Sequence, residues 1–299
     1  GMGASERLVA AGEELPVISE PAAMFHDLAS KVPKLENFLK KMSHRPLRVA
    51  TMCSGTESPL LALDKIADAT EKLFGSRLNV EHVFSCEIEP FKQAYIERNF
   101  SPPILFRDIR ELKEKQAYTA YGALVDVPGN VDILVAGTSC VDYSNLNNEQ
   151  KGLNEQGESG QTFRGMKAWI MRCKPPVVIL ENVCGAPWQQ IVDDFASFGY
   201  TADFLRLDTK RYYIPHTRTR VYLLAVLGDD DEGVLAQWKE VVKQLERPSS
   251  STLEAFLFDT DDPRVNKGRQ DLALPGEKNT RAETDWGRCQ SRHIRARVE

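Results

Sequence analysis

The sequence has no apolar stretch approaching the roughly 20 residues that a bilayer-crossing helix needs, so no membrane-spanning segment is expected. Its polar, acidic N-terminus carries no signal-peptide pattern, and Gly1 ahead of Met2 reads as the scar of a cleaved tag. The six cysteines (Cys53, Cys86, Cys140, Cys173, Cys184 and Cys289) never stand as CxxC. That argues against a metal site or a disulfide framework and for a reducing compartment. The dinucleotide fingerprint GxGxxG is missing, which counts against a nicotinamide cofactor. Excess positive charge is missing too. A net charge of −5 gives no bulk attraction to nucleic acid, so any such binding must come from local basic patches.

What is present is ordinary in bulk and specific in pattern. The chain has 299 residues, 42% hydrophobic and 27% charged, enough for one large domain or one with an appendage. Val131 to Ala136 is a short apolar, β-branched run that reads as a strand buried on both faces of a parallel sheet. Gly137, Thr138 and Ser139 break it, and Cys140 follows at the carboxyl end, the edge where ligands bind in open α/β sheets. A buried structural cysteine is the alternative reading.

Four other strand ends carry chemistry-bearing residues. Leu47 to Met52 runs into Cys53-Ser54-Gly55-Thr56-Glu57, and Leu60 to Ile66 then looks helical. This is either a nucleotide-binding βα turn or a plain one. Val80 to Ser85 ends in Cys86-Glu87-Ile88, before a helix with Phe91, Ala94, Tyr95 and Phe100 on one side. Ile104 to Phe106 ends in Arg107-Asp108-Ile109. Acids closing successive strands suit a ribose diol, or are solvated strand ends. Val177 to Leu180 delivers Glu181-Asn182-Val183. A helix with Met166, Trp169, Ile170 and Cys173 on one face joins this strand to the Cys140 strand, so the two are expected to be adjacent and parallel. Asn145 to Gln161 is polar, Gly-rich and without periodicity, and reads as a working loop or as disorder. Thr201 to Leu207 and Val221 to Val226 look like a closing β pair around a basic, aromatic-rich segment, in which Arg218 and Arg220 alternate; a solvated face is the plain alternative. The expected fold is α/β, a mostly parallel sheet with helices on both faces. The expected parts are an N-terminal arm (1–46), a catalytic core (47–228) and a partial recognition domain or C-terminal extension (229–299).

The order of these parts resembles the cytosine-5 methyltransferase family, enzymes that methylate carbon 5 of cytosine in DNA, over roughly Leu47 to Leu227. Gly137 to Ser144 is similar to its nucleophile loop. Glu181-Asn182-Val183 matches its Glu-Asn-Val motif, and Pro215 to Val221 resembles its Pro-Gln-x-Arg-x-Arg strand. The Ser54-Gly55 turn, Glu87 and Asp108-Ile109 look like its S-adenosylmethionine motifs. The resemblance implies a Rossmann-like methyltransferase fold, S-adenosylmethionine as cofactor and flipped cytosine in DNA as substrate, in the nucleus (or the cytoplasm for an RNA-directed or bacterial enzyme). Further domains of the same polypeptide are expected beyond Glu299.

By that resemblance Cys140 adds as thiolate to C6 of cytosine, which makes C5 nucleophilic. Glu181 supplies a proton at N3, Asn182 positions the loop, and Arg218 and Arg220 hold the base and its phosphate. A duplex base must be flipped to reach this pocket, and Asn145 to Gln161 is the candidate lid. The backbone from Cys53 to Glu57 would meet the methionine part of the cofactor and Glu87 the ribose. Ile88 would cover the adenine, Asp108 and Ile109 would read its edge, and Thr162 would face it. The chain departs from the family pattern at Ser139 (usually Pro), Cys53 (an aromatic), Glu57 (Gly) and His216 (Gln), and the family's last motif has no match. Two other readings are a catalytically weak or inactive DNA- or cofactor-binding homologue acting as a regulatory module, and an RNA (tRNA) cytosine-5 methyltransferase. The basic end, Arg288 to Arg297, either touches phosphates or is a solvated helix face.

Overall fold

The computed structural model describes residues 15–138 and 157–272. These fall into two compact units, a larger one of 25–138, 157–207 and 219–245 and a smaller one of 15–24, 208–218 and 246–272. The larger is built on a seven-stranded sheet. Its strands are β1 (Leu47–Met52), β2 (Val80–Cys86), β3 (Leu105–Phe106), β6 (Ile133–Ala136), β7 (Val177–Asn182), β8 (Tyr200–Asp208) and β9 (Thr219–Leu227), in the spatial order β3-β2-β1-β6-β7-β9-β8. A separate antiparallel pair is formed by β4 (Gln116–Tyr118) and β5 (Leu124–Asp126).

β1 lies mid-sheet, parallel to β2 on one side and β6 on the other, which is why Val49, Ala50, Thr51 and Met52 in a row are all buried. A strand covered on both faces needs a continuous apolar run rather than an alternating one. β6 and β7 pair in parallel, Ile133 opposite Val177 through Ala136 opposite Leu180, as their helical connection predicts. β9 then runs antiparallel to β7, Val177 opposite Val226 through Asn182 opposite Val221. The reversal places the first residues of β9 beside the last residues of β7.

Helices α1 (Pro21–Lys31) and α2 (Leu35–Lys41) precede β1, and the connecting helices are α3 (Ser58–Phe74), α4 (Pro90–Phe100), α5 (Glu158–Cys173) and α6 (Trp188–Ser197). α3 starts with Pro59 in its first turn and stops at Gly75, whose φ of 69° lets its N–H reach back to the Glu71 carbonyl. α5 buries Phe163, Met166, Trp169 and Ile170 on one face. Trp169 meets Phe84 of β2 edge-on at 5.6 Å, and its indole N–H donates to the Pro128 carbonyl at 3.1 Å, so the ring is buried with its polar atom satisfied.

Two sequence expectations change here. Glu158 to Gln161 are the first turn of α5, with Gly157 at its N-cap, rather than the end of a structureless loop; residues 145–156 of that loop lie outside the described residues. Its glycines, Gly157, Gly160 and Gly165, hide a helix from propensity-based reading, but packing against the turn after β3 overrides them. On α4 the buried residue is Ile96, while Phe91 is 70% and Tyr95 42% exposed. The apolar side read from sequence is the outer one.

Candidate active site

The carboxyl edge of the sheet gathers most of the residues singled out in the sequence. β7 delivers Glu181 and Asn182, and the reversed β9 delivers Arg220. The Arg220 Nε lies 3.2 Å from Glu181 Oε1. On the neighbouring strand, a Cβ added to Gly137 would sit 3.7 Å from Glu181 Oε2 and 3.7 Å from the Cys53 carbonyl. The Glu181 carboxyl is therefore held between Arg220 and the turn that leads into Cys140. Cys140 itself, with Ser139, lies outside the described residues.

Asn182 is buried, and its amide fixes that turn. Nδ2 donates to both the carbonyl and the hydroxyl of Thr138, each at 3.1 Å, while Oδ1 accepts from the Val183 N–H at 2.7 Å. The amide thereby ties the Thr138 turn after β6 to the end of β7. Thr138 escaped sequence reading because a threonine after a strand carries no signal of its own. Arg218 immediately precedes β9 and belongs to the smaller unit; its N–H donates to Asp208 Oδ1 at 3.2 Å, and its carbonyl accepts from the Thr209 N–H and hydroxyl.

A second cluster follows β1 and β2. Glu87 is buried, and its carboxylate accepts from the Gly55 N–H at 2.8 Å and the Glu89 N–H at 3.0 Å. This ties the Gly55 turn to the end of β2 while leaving acceptor capacity on both oxygens. Gln93, unnoticed in the sequence, donates to the Glu87 carbonyl at 2.7 Å. Ile88, 56% exposed, lines a cavity of about 320 Å³ with Gln93, Arg107, Asp108, Glu111 and Ala120. Asp108 is braced by Arg110, whose Nε and Nη2 lie 2.9 and 2.6 Å from its two oxygens. Burial works against the charge, but these hydrogen bonds outweigh it and hold the Asp108 carboxyl below its usual range.

Several sequence candidates turn their side chains inward. Glu57, at the αL position that opens α3 (φ 55°), is wholly buried. Its Oε1 accepts from the Thr51 hydroxyl at 2.7 Å and from the Ser85 hydroxyl, and Oε2 has no partner. Burial pushes this carboxyl up despite those hydrogen bonds. Ser54 is likewise buried, bonded to Thr51 and to the Cys86 backbone. Ile109 is in the core, and the Thr162 hydroxyl is bonded to carbonyls of its own helix. For Ser54, Glu57 and Ile109, only backbone groups remain to meet a ligand. Thr56 is exposed, its hydroxyl 3.2 Å from that of Ser58. The Cys53 thiol is pushed up to about 12 by burial, with the Glu87 charge adding to it, and burial likewise raises Cys86. Neither is a thiolate near neutral pH. No group of side chains that could hold a metal occurs among the described residues, and no helix among them is long and apolar enough to cross a membrane.

A mostly parallel sheet with β9 reversed beside β7, and with acids following its β2 and β3 strands, defines a Rossmann-like methyltransferase fold. The family model for C-5 cytosine-specific DNA methylase matches residues 47–293, and the chain belongs to that family. It is 57% identical over 291 residues to DNA (cytosine-5-)-methyltransferase DMT5 of Cryptococcus neoformans, covering 96% of this chain and 12% of that protein. It is 33% identical over 274 residues to DMT5 of Verticillium dahliae, covering 73% and 11%. The type II methyltransferase M.MspI of Moraxella is 30% identical over 155 residues, 50% of this chain and 34% of that one. The chain thus spans about an eighth of the length of its fungal relatives. Among solved structures, Dnmt2 of S. pombe aligns with a TM-score of 0.44 at 18% identity over 64% of this chain and 55% of that one.

Proposed function

We propose that this chain is the catalytic region of a DNA cytosine-5 methyltransferase. The observation that carries the reading is the Glu181–Arg220 pair facing the Gly137–Thr138 turn, with Asn182 clamping that turn. Cys140 stands two residues past the clamp. In this reading its thiolate adds to C6 of a flipped cytosine, and Glu181 delivers a proton to N3 as the ring accepts charge. Arg220 holds the Glu181 carboxyl in place from the side opposite Gly137, and Arg218 meets the base or its phosphate. The catalytic region is assigned to 47–228, with the segments on either side serving substrate handling.

The residues around β1 to β3 fit S-adenosylmethionine. When bound, it supplies an electrophilic methyl group. The Cys53–Glu57 backbone would hold its methionine part and Glu87 its ribose. The cavity beside Ile88 and Asp108, at about 320 Å³, is within the range of ligand pockets and would take the adenine. Within that lining, the braced Asp108 carboxylate beside the exposed Ile88 suits a flat base with an exocyclic amine. A nuclear location follows from a DNA substrate in a fungal-type protein.

Incubation with duplex DNA carrying 5-fluorocytosine, with and without S-adenosylmethionine, tests the reading. The expected result is a covalent adduct that survives denaturation and needs the cofactor. Adduct formation with tRNA but not with DNA, or with neither, would overturn it.

A further inference from the structure

The smaller unit contains a buried side-chain assembly that the reaction scheme does not use. Arg247 is 6% exposed, although Pro248 and three serines, the composition of a linker, follow it directly. Its main chain pairs with the segment that leads to Arg218. The Arg247 N–H donates to the Arg211 carbonyl, and the Tyr213 N–H to the Arg247 carbonyl, each at 2.8 Å, making a parallel bridge of Arg247 with Tyr212. Its guanidinium lies 5.3 Å from the centre of the Tyr213 ring, which is itself buried. Tyr213 has a φ of 66°, a left-handed conformation that a tyrosine holds only when its surroundings enforce it. Glu246, the preceding residue, is ion-paired with Arg211.

The other side of the guanidinium reaches a third segment. Nη2 donates to the Pro16 carbonyl at 2.6 Å and Nη1 to the Ser250 hydroxyl at 3.1 Å. That hydroxyl also accepts from the Ile18 N–H at 3.1 Å and donates to the Pro16 carbonyl at 2.7 Å. One donor and two lone pairs are all a serine hydroxyl has, so Ser250 is saturated. The Ser251 hydroxyl adds a bond to the Ile18 carbonyl at 3.1 Å. Three stretches more than 200 residues apart in sequence at their extremes are joined around one guanidinium, and a lysine could not replace it, having no planar fork with two nitrogens to donate in two directions.

We infer that Arg247 is a positioning residue for the Arg218 segment, with Ser250 and the N-terminal stretch Pro16–Ile18 as its buttress. This rests on the role proposed above for Arg218. The assembly fixes 211–213 by two main-chain bonds and the guanidinium–ring contact with Tyr213, and Asp208 and Thr209 fix the far end at Arg218. The intervening residues, Ile214 to Thr217, are thereby held from both sides. The N-terminal stretch, which reads in the sequence as a loosely patterned arm, becomes part of the apparatus that handles substrate.

The test uses Arg247→Ala, Arg247→Lys and Ser250→Ala in the full chain. Amide hydrogen exchange is read at Tyr213 and Arg218, and kcat and KM are measured with DNA and S-adenosylmethionine varied separately. Arg247→Ala is expected to lose protection at both amides and to lower kcat/KM for DNA by roughly tenfold or more, the scale of a displaced positioning group. KM for S-adenosylmethionine and protection of the β1 and β6 amides should hold. Arg247→Lys should fall between, and Ser250→Ala should shift the same quantities less. Unchanged protection at Tyr213 and Arg218 would overturn the inference, as would equal losses toward both substrates. If the parent chain transfers no methyl group, the functional reading fails, and the exchange data still decide whether Arg247 positions the segment.

Discussion

Gly165 offers a test of how α5 and the turn after β3 jointly set the cofactor edge. The residue is mid-helix, where replacing Gly by Ala ordinarily stabilises by about 1 kcal/mol. Here a Cβ would stand 2.8 Å from the Ile109 carbonyl oxygen, 3.1 Å from its carbon and 3.2 Å from the Arg110 Cα. All three are backbone atoms, so no side chain can rotate out of the way; either the helix or the turn must shift. Overpacking of this kind costs about 1–3 kcal/mol, and contact with rigid backbone belongs at the upper end. Subtracting the propensity gain leaves a net destabilisation of about 1–2 kcal/mol, or a fall in melting temperature of roughly 2–8 °C for a domain this size. The shift has a direction as well, because the turn it pushes carries Asp108 and Ile109. Gly165→Ala should therefore weaken S-adenosylmethionine binding in calorimetric titration by more than the loss of stability explains. A raised melting temperature with unchanged affinity would refute the argument, since it would mean that the helix–turn contact yields freely.

Three further outcomes are expected. Cys140→Ala should abolish methyl transfer while the melting temperature holds; a rate near that of the parent would remove Cys140 as nucleophile. Glu181→Gln should lower the rate by about two to four orders of magnitude, as for loss of a general acid, with cofactor affinity preserved in the same calorimetric assay. Glu57 has its folded-state pKa raised from 4.5, so the native state holds the proton more tightly than the unfolded chain. Its contribution to stability is present below 4.5 and is lost as pH rises through the folded value. Glu57→Gln should flatten that part of a melting-temperature profile against pH, and an unaltered profile would show that Glu57 does not titrate there.

Most of the sheet was legible because buried parallel strands announce themselves as unbroken apolar runs, and because small or acidic residues follow each run. The β4–β5 pair was not, since three-residue strands are too short to show alternation. The inward turn of Glu57 was hidden for a different reason. A glutamate in a turn reads as a surface residue, whereas here Thr51 and Ser85, one on each of two neighbouring strands, supply the donors that accommodate it. Arg247 was obscured by its neighbours, because an arginine before Pro-Ser-Ser-Ser has the composition of a linker. The Glu181–Arg220 pair was half visible. Both residues carried motif signals, but only the reversed direction of β9 brings them together, and strand direction is a property of topology rather than of local pattern.

That reversal makes hydrogen-bond register a variable of the chemistry. β7 and β9 pair over six consecutive positions without a bulge, in contrast to β1 and β2, whose register shifts between Val49 and Ala50. Side chains alternate along a strand, so a slip of β9 by one residue would carry Arg220 to the opposite face of the sheet and leave Glu181 facing a different neighbour. The buried alternation of Val221, Leu223 and Ala225 is what forbids the slip. Substitutions at these three apolar positions are therefore constrained twice, once by packing and once by the need to keep a charge on the correct side.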